Sequence, residues 1–342
     1  MRCRSSAWAW LPLAGVLAGC GSSAPTGAVQ RALPAPRVKQ VDTGAMAIDR
    51  IFTSMMGPWT TVGVDVSDVG WITAFRTDVV DEGSGAPLGD EFLCHAQLEV
   101  DGGRRLAVTA TGTEELRFPP GFGIHVADVL RGVPPPARRI DLFGMLLNNN
   151  SPEMRRQARV RARIEYLTEE DAGSPPLLRP LYSQDVMLVV EDSANAPAGA
   201  PAIGADGVAA HCASVDGTPG HWLVPPGPQK TRMRYPNLVP VDSTVHFAAA
   251  HLHNHGEYLR LSDTVTGEVL WQTDVEYQPE RRQIARIPHY SSSEGFLLHA
   301  DRVYEIEALY DNTSDQVVDA MAMLYLYFTP ASGEPLYLVG HE

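Results

Sequence analysis

Alternation of apolar and polar residues with a period of two runs through most of the chain and predicts β-strands. The pattern is clearest in two sets of segments, each bounded by glycine, proline or aspartate. The first set comprises residues 71–80, 91–100, 104–113, 158–167 and 185–190, and the second comprises 231–236, 243–255, 257–263, 303–312 and 321–328. Long helical periodicity is scarce. Alternating strands with frequent turns are typical of antiparallel sheets with one solvated face, so we predict an all-β fold.

The stretch between the two sets predicts a domain boundary. Its sequence, EDSANAPAGAPAIGADG (191–207), is rich in alanine, proline and glycine, a composition that favours a linker. The 342 residues are enough for two domains of ordinary size. We therefore predict two tandem antiparallel β-sandwiches, jelly-roll-like and facing each other across a cleft. The first covers residues 46–192, the linker 193–207 and the second 208–342.

The N-terminus has the three parts of an export signal. Arg2 and Arg4 precede an apolar run over residues 7–18, which is too short for a permanent membrane span. The sequence LAGC at 17–20 resembles a bacterial lipobox, which implies a signal peptide over residues 1–19, cleavage before Cys20 and lipidation of that cysteine. An ordinary signal peptide with a chance cysteine is the alternative. Residues 20–45, small and proline-rich at first, are predicted to form a flexible tether.

These features predict a bacterial lipoprotein that faces the periplasm or the cell surface, held by its lipid, most simply on the outer membrane. The net charge of −14 argues against nucleic acid as a partner. Because export leads to an oxidising compartment, Cys94 and Cys212 could form a disulfide or remain thiols.

A histidine cluster stands out in the sequence AAHLHNHGEYLRL (249–261), which carries three of the eleven histidines. In a strand, His251 and His253 point to the same side, about 6.6 Å apart along the backbone. That spacing suits a zinc or copper site, with a third ligand from elsewhere. Solvent-facing or hydrogen-bonded histidines are the alternative. His255 precedes Gly256, where the chain is expected to turn, and is not predicted to be a ligand.

The surroundings of this cluster resemble the C-terminal domain of the copper type II, ascorbate-dependent monooxygenases, a family that includes peptidylglycine α-hydroxylating monooxygenase and dopamine β-monooxygenase. The match lies in VDSTVHFAAAHLHNHGEYLRL (241–261) and VYEIEALYDNTSDQVVDAMAMLYLYF (303–328). The family's His-x-His followed by Gly is matched by His251, His253 and Gly256, and its acidic-x-Met-x-x-Leu-Tyr pattern by Asp319, Met321, Leu324 and Tyr325.

The resemblance implies an O2-activating copper bound by His251, His253 and Met321. A thioether favours Cu(I), which such a copper must reach, and an ascorbate-like reductant would supply the electrons. Met323 would share the strand face of Met321 and is an alternative ligand. The family's pattern favours Met321.

In the family, a second copper in the N-terminal domain is bound by three histidines and relays electrons. The corresponding positions here are Cys94, His95 and Met145, and a shifted alignment would put Leu147 or Asn148 at the third position instead. Three interpretations stay open: a copper site retuned towards Cu(I), a lost site whose residues simply pack, or a disulfide between Cys94 and Cys212. Since neighbours in a regular strand face opposite ways, joint use of residues 94 and 95 requires a bulge.

The resemblance also bears on the substrate. Ala249 and Met323 stand where the amidating enzymes carry an arginine and an asparagine that anchor a peptide carboxylate. Because apolar side chains cannot make that bidentate contact, peptidylglycine amidation is not expected. Tyr325 matches a substrate-side tyrosine of the family.

The leading prediction is therefore an exported protein with one or two copper ions that hydroxylates a small apolar substrate. The alternative is a non-catalytic protein that sequesters Cu(I) or exchanges it with a copper donor or acceptor. A surface adhesion module with vestigial metal sites is a third, weaker reading.

Overall fold

The computed structural model describes residues 32–52, 56–100, 103–188, 220–279 and 283–336. Its first half contains the strands β1 (Arg37–Asp42), β2 (Met46–Ile48), β3 (Trp59–Asp65), β4 (Trp71–Asp81), β5 (Leu93–Val100), β6 (Arg104–Ala110), β7 (Glu115–Arg117), β8 (Phe122–His125), β9 (Arg139–Leu146), β10 (Arg156–Leu167), β11 (Arg179–Pro180) and β12 (Tyr182–Met187). Its second half contains β13 (His221–Val224), β14 (Gly227–Pro236), β15 (Ser243–Leu252), β16 (Gly256–Asp263), β17 (Val269–Asp274), β18 (Glu276–Tyr277), β19 (Ile284–Arg286), β20 (Tyr290–Leu298), β21 (Val303–Asn312) and β22 (Val318–Pro330).

Helix is confined to short segments within these ranges. There are two α-helical turns, α1 (Val126–Val129) and α2 (Glu169–Ala172), and two 3-10 turns, Asp90–Phe92 and Pro135–Ala137. Thr168 begins α2 with a reciprocal capping box to Asp171, which satisfies two backbone donors of this turn. No helix in the described part of the chain is long and apolar enough to span a membrane.

The all-β antiparallel fold predicted from the sequence is confirmed. In the first sandwich, a seven-stranded sheet with the central order β1-β10-β4-β8-β11 faces a four-stranded sheet, β3-β9-β5-β6. In the second, the five-stranded sheet β12-β22-β15-β20, with β13 paired to β22, faces the four-stranded sheet β14-β21-β16-β17. Among these described sheets, the pairing of β11 with β8 is parallel and the other pairings are antiparallel.

Strands of the solvent-facing sheets alternate between buried and exposed side chains, as expected of sheets with one solvated face. Along β10, alanine, valine and isoleucine residues are buried while Arg159, Arg161 and Arg163 point outward. Arg161 meets the carboxylate of Asp42 on β1 at 2.9 Å through two nitrogens. The period of two therefore separates a hydrophobic core from a charged surface on this strand.

The inner strands lack this alternation because both of their faces are covered. All eight residues of β5 are buried, as are eleven of the thirteen residues of β22, from Ala320 to Pro330. On β22, Ala322 and Leu324 pack into the core of the second sandwich, whereas Met323 and Tyr325 face the first sandwich. The inner sheets of the two sandwiches are thus in direct contact.

Two strands do not follow the predicted domain bounds. β1 lies within the segment predicted to be a flexible tether (20–45). It forms a strand because its backbone pairs with β10 along its whole length, although its side chains are largely exposed. β12 lies within the predicted first domain (46–192) but pairs with β22 of the second sandwich. Backbone pairing of an edge strand needs no long apolar run, so side-chain pattern alone did not locate these partners. The predicted signal peptide, Cys20, the linker (193–207) and Cys212 lie outside the described residues.

A glycine turn of the first sandwich packs against the second sandwich. Gly112, between β6 and β7, has φ +80°, and its carbonyl accepts a hydrogen bond of 2.7 Å from the backbone of Ile287. A Cβ atom at this position would lie 2.5 Å from the Ile284 side chain. Both the positive φ and the close approach therefore require glycine.

We expect Gly112→Ala to lower the free energy of unfolding by about 2–4 kcal/mol, since it combines left-handed strain with overpacking at the interface. Gly132→Ala is the matched control, because Gly132 has φ +81° and its Cβ would meet no atom within 4 Å. Gly132→Ala should lower the free energy of unfolding by about 1–2 kcal/mol, because it introduces left-handed strain but no overpacking. Urea unfolding of both variants measures the difference, and equal losses would show that Gly112 is not packed against the second sandwich.

Candidate metal centre

His251 is presented by β15 to the space between the two sandwiches. It lies opposite Met323 on β22 and is 4% exposed, whereas its neighbour Leu252 packs into the core of the second sandwich. The Nδ1 atom of His251 is buried and has no hydrogen-bonding partner among the described residues. Since buried polar atoms are nearly always satisfied by protein, water or an ion, this nitrogen is a candidate contact for a water molecule or an ion.

The predicted pair of histidines is close in space. The ring centres of His251 and His253 are 5.2 Å apart, in a T-shaped arrangement. A nitrogen lies about 1 Å from the centre of an imidazole and a metal–nitrogen bond is about 2 Å long, so two imidazoles on one ion have centres about 5–6 Å apart. The ring-centre separation lies within this range, whereas the three groups whose ligand atoms all lie within 4.8 Å of one another are His221, His253 and Asp319. As expected, His255 lies in the turn after β15, where it has φ +74°.

A tyrosine fixes the backbone beneath two of the predicted ligands. The hydroxyl of Tyr310 accepts a hydrogen bond of 3.0 Å from the His253 backbone N–H and donates to the backbone carbonyl of Met321. Tyr310 is fully buried, so this bridge is shielded from water. It holds the end of β15 and the start of β22 in one geometry.

His221 and Asp319 extend the cluster and were not predicted as ligands. His221 on β13 lies opposite Met321, and its ring centre is 5.2 Å from that of His253. Its Nδ1 atom lies 3.0 and 3.1 Å from the two carboxylate oxygens of Asp319. The Nδ1 atom of His253 lies 3.0 Å from the same carboxylate. Candidate ligand atoms of His221, His253 and Asp319 all lie within 4.8 Å of one another, a set that can hold a metal ion.

The charges of the cluster favour neutral imidazoles beside an ionised carboxylate. Burial, reinforced by the neighbouring imidazoles of His253, His95 and His221, holds the pKa of His251 well below its ordinary value. Burial also lowers the pKa of His253, even though Asp319 opposes this shift. For Asp319, burial would raise the pKa, but hydrogen bonds from the two histidines outweigh it and hold the pKa well below its usual range. Neutral imidazole is the form that binds metals.

A small cavity lies beside His251, where the two sandwiches meet. The second sandwich contributes His251, Met321, Met323 and Tyr325 to its lining, and the first contributes His95, Gln97 and Arg105. Its volume is about 10 Å³, about the space that one water-sized molecule needs. The space between the sandwiches is therefore nearly closed at this point.

The predicted first-domain residues share one face of β5 and β9. Leu93 and Ala96 both pack into the core of the first sandwich. The strand has a bulge between Leu93 and His95, so that both Cys94 and His95 face away from that core. Cys94 and Met145 pack in one cluster. Met145 lies opposite His95 in the strand register. The bulge that the joint use of residues 94 and 95 requires is thus present.

The predicted first-domain site is not separate from the histidine cluster of the second sandwich. His95 stacks on Phe143, with ring centres 5.4 Å apart, and its ring centre lies 6.2 Å from that of His251. The first-domain histidine therefore lies beside the second-domain cluster. All three residues, Cys94, His95 and Met145, are buried.

Other predicted positions have simpler environments. The hydroxyl of Tyr325 lies 3.3 Å from the sulfur of Met323, so it contacts a candidate ligand as well as the cavity. Ala249 and Met323 place apolar atoms on the face that meets the first sandwich. His125 is bound by Asp128 and Glu169 at the surface.

The sequence carried a partial signal for the residues that were missed. Asp319 lies two positions before Met321 and so shares its strand face, but the family pattern alone does not predict it as a ligand. His221, Gln97 and Arg105 carried no spacing signal, because they reach the site through pairing between distant strands.

Comparisons with known proteins give distant similarities of fold only. No family model matches the chain, and no curated protein matches it. Among solved structures, a peptide-N(4)-(N-acetyl-β-D-glucosaminyl) asparagine amidase is 11% identical with a TM-score of 0.38, over 88% of this chain and 98% of that one. The PNGase F structure from Flavobacterium meningosepticum is 10% identical with a TM-score of 0.37, over 86% and 97% of the two chains. The major capsid protein P2 of bacteriophage PM2 is 9% identical with a TM-score of 0.32, over 87% and 100%. Function therefore has to be argued from the site itself.

We expect Asp319→Asn to lower the free energy of unfolding by about 1–3 kcal/mol, because the carboxylate loses the charge-assisted hydrogen bond that His221 donates and its close contact with His253. Since a carboxylate only accepts hydrogen bonds, it holds His221 in the Nδ1–H tautomer, and NMR of the side-chain nitrogens should detect that form in the metal-free protein. Asp274→Asn, at an exposed position of β17, is the control and should change stability by less than about 0.5 kcal/mol. An unchanged tautomer in Asp319→Asn would contradict this role.

Proposed function

We propose that this protein binds copper at a centre built on His251, His253 and Met321, with His221 beside it. The observation that carries the proposal is a row of three imidazoles with consecutive ring centres 5.2 Å apart, in which His251 and His253 at the end of β15 are buried and His221 on β13 is half-buried. It ends on a His251 nitrogen without a hydrogen-bonding partner among the described residues. Core histidines that only pack normally have their ring nitrogens satisfied, as His246 has through Ser292 and Thr329.

The donor set supports a soft, low-valent ion. Met321 and Met323 both line the cavity next to His251, and a thioether combined with imidazole suits Cu(I). Asp319, which hydrogen-bonds the Nδ1 side of His221, leaves Nε2 as the nitrogen with a lone pair, the usual orientation of a carboxylate–histidine–metal arrangement. Zinc, which also binds imidazole and carboxylate, is the competing ion.

The nearly closed cavity favours the non-catalytic form of this proposal, in which the protein holds Cu(I) and exchanges it with a copper donor or acceptor. A cavity of about 10 Å³ admits a water-sized molecule but not an organic substrate beside His251. His251 and His253 are buried, whereas Asp319 at the edge of the site keeps 34% of its side chain exposed. Retention of a soft ion away from water requires buried ligands such as these two histidines.

Hydroxylation of a small apolar substrate is the second candidate, and it rests on the sequence resemblance to the copper type II monooxygenases. In that form, copper activates O2 with electrons from an ascorbate-like reductant, and Cys94, His95 and Met145 would hold a relay copper. The arrangement of these three residues on one face favours it, whereas the closed cavity requires the sandwiches to separate before a substrate can enter near Tyr325.

The location of the protein is proposed from the sequence alone. Lipidation at Cys20 would anchor it to a bacterial outer membrane, facing the periplasm or the cell surface, with no membrane contact beyond the lipid. Copper exchange at such a place fits an exported binding protein.

We expect His251→Gln to weaken Cu(I) binding by at least about 100-fold, because it removes a directly bound ligand while keeping a polar side chain of similar size. Competition with a chromophoric Cu(I) chelator measures the affinity. His299→Gln is the control, since His299 lies in the second sandwich beside Asp242 at the surface. Unchanged copper content in His251→Gln would show that the assigned site is wrong.

Oxygen uptake separates the two candidates. The copper-loaded protein with ascorbate should consume no O2 above the free-copper background if it only binds copper. Two bound coppers with sustained, substrate-dependent uptake would instead support the monooxygenase.

A further inference from the structure

His95 and His251 come from different sandwiches and meet across the contact between them. The ring centres are 6.2 Å apart, and the two residues are 5% and 4% exposed. Two imidazoles bound to one ion at a wide angle have centres about 6 Å apart, by the bond lengths that apply to His251 and His253. The pair therefore needs only a small ring adjustment to bind the same ion.

The space between the two rings suits an ion. The cavity that both residues line also exposes the side chains of Met321 and Met323, so imidazoles and thioethers converge on one volume the size of a water molecule. Each of these groups is neutral when it binds a metal. A soft monovalent cation adds a single positive charge to this space, and Arg105, which also lines the cavity, is paired with Asp185.

The two histidines are held in place by independent contacts. His95 stacks on Phe143, and the bulge of β5 fixes its direction. Around the cavity, Arg105 of the first sandwich forms a 3.3 Å ion pair with Asp185 of the second. The hydroxyl of Thr113 lies 3.4 Å from the carbonyl oxygen of Ala250 on β15. The interface therefore presents the two rings to each other before any ion is bound.

On this basis we infer that His95 binds the same copper ion as His251, so that occupancy of the site fastens the first sandwich to the second. The inference rests on the proposed copper binding and adds a regulatory consequence to it. A protein without metal keeps the two sandwiches together only by packing and hydrogen bonds. A loaded protein has a metal bridge at the centre of that contact, which slows both separation of the sandwiches and release of the ion.

The test compares hydrogen exchange and affinity in the full chain with Ag(I), a soft, redox-inert probe for Cu(I). In the wild-type protein, Ag(I) should slow exchange at least about tenfold in both 93–100 and 243–252, because both strands are tied to the ion. In His95→Gln, affinity should fall at least tenfold and protection should increase only in 243–252. His125→Gln, a first-sandwich histidine bound to Asp128 and Glu169, is the matched control and should behave like the wild type.

His95→Met provides a second variant with a readout that does not depend on exchange. It keeps a soft ligand, so it should retain affinity within about threefold and protection in both strands, and X-ray absorption should detect one nitrogen fewer and one sulfur more around the ion. If wild-type protein binds no Ag(I) or Cu(I), the proposed function itself fails. If His95→Gln binds and protects both strands as the wild type does, the bridge is overturned while copper binding at His251 stands.

Discussion

The contact between the inner sheets of the two sandwiches is the constraint on which the rest of the structure depends. Because β5, β15 and β22 are covered on both sides, their residues cannot alternate between core and solvent, and polar groups on the facing sides must find partners within the interface. Arg105 and Asp185 do so as an ion pair. His251 has no such partner among the described residues, and the candidate site lies where this demand is unmet.

The same constraint explains the chemistry of the site. Burial keeps the imidazoles of His251 and His253 neutral, and the carboxylate of Asp319, at the edge of the cluster, remains ionised and orients two rings. Thioethers from β22 complete a neutral, soft surface. Such a surface stabilises a Cu(I) ion better than a hard divalent cation such as Mg²⁺ or Ca²⁺, which prefers oxygen ligands. Packing, protonation and metal preference therefore have one physical origin, the exclusion of water between the sandwiches.

The sequence predicted those features that depend on local pattern. Alternation located the strands, and the spacing of His251 and His253 placed two imidazoles on one side of β15. The need for a bulge at Cys94 also followed from strand geometry alone. Features that depend on strand pairing could not be predicted: His221 reaches the cluster because β13 pairs with β22, and His95 lies 156 positions before His251 along the chain. Their proximity is set by how the two sandwiches pack, for which a single sequence gives no periodic signal.

Anomalous diffraction from crystals of the Cu(I)-loaded protein, recorded at the copper edge, tests the central claim most directly. The account predicts a peak between the sandwiches, about 2 Å from a ring nitrogen of His251 and next to the sulfur of Met321 or Met323. A copper peak at another place in the chain, or none at His251 in fully loaded protein, would contradict it.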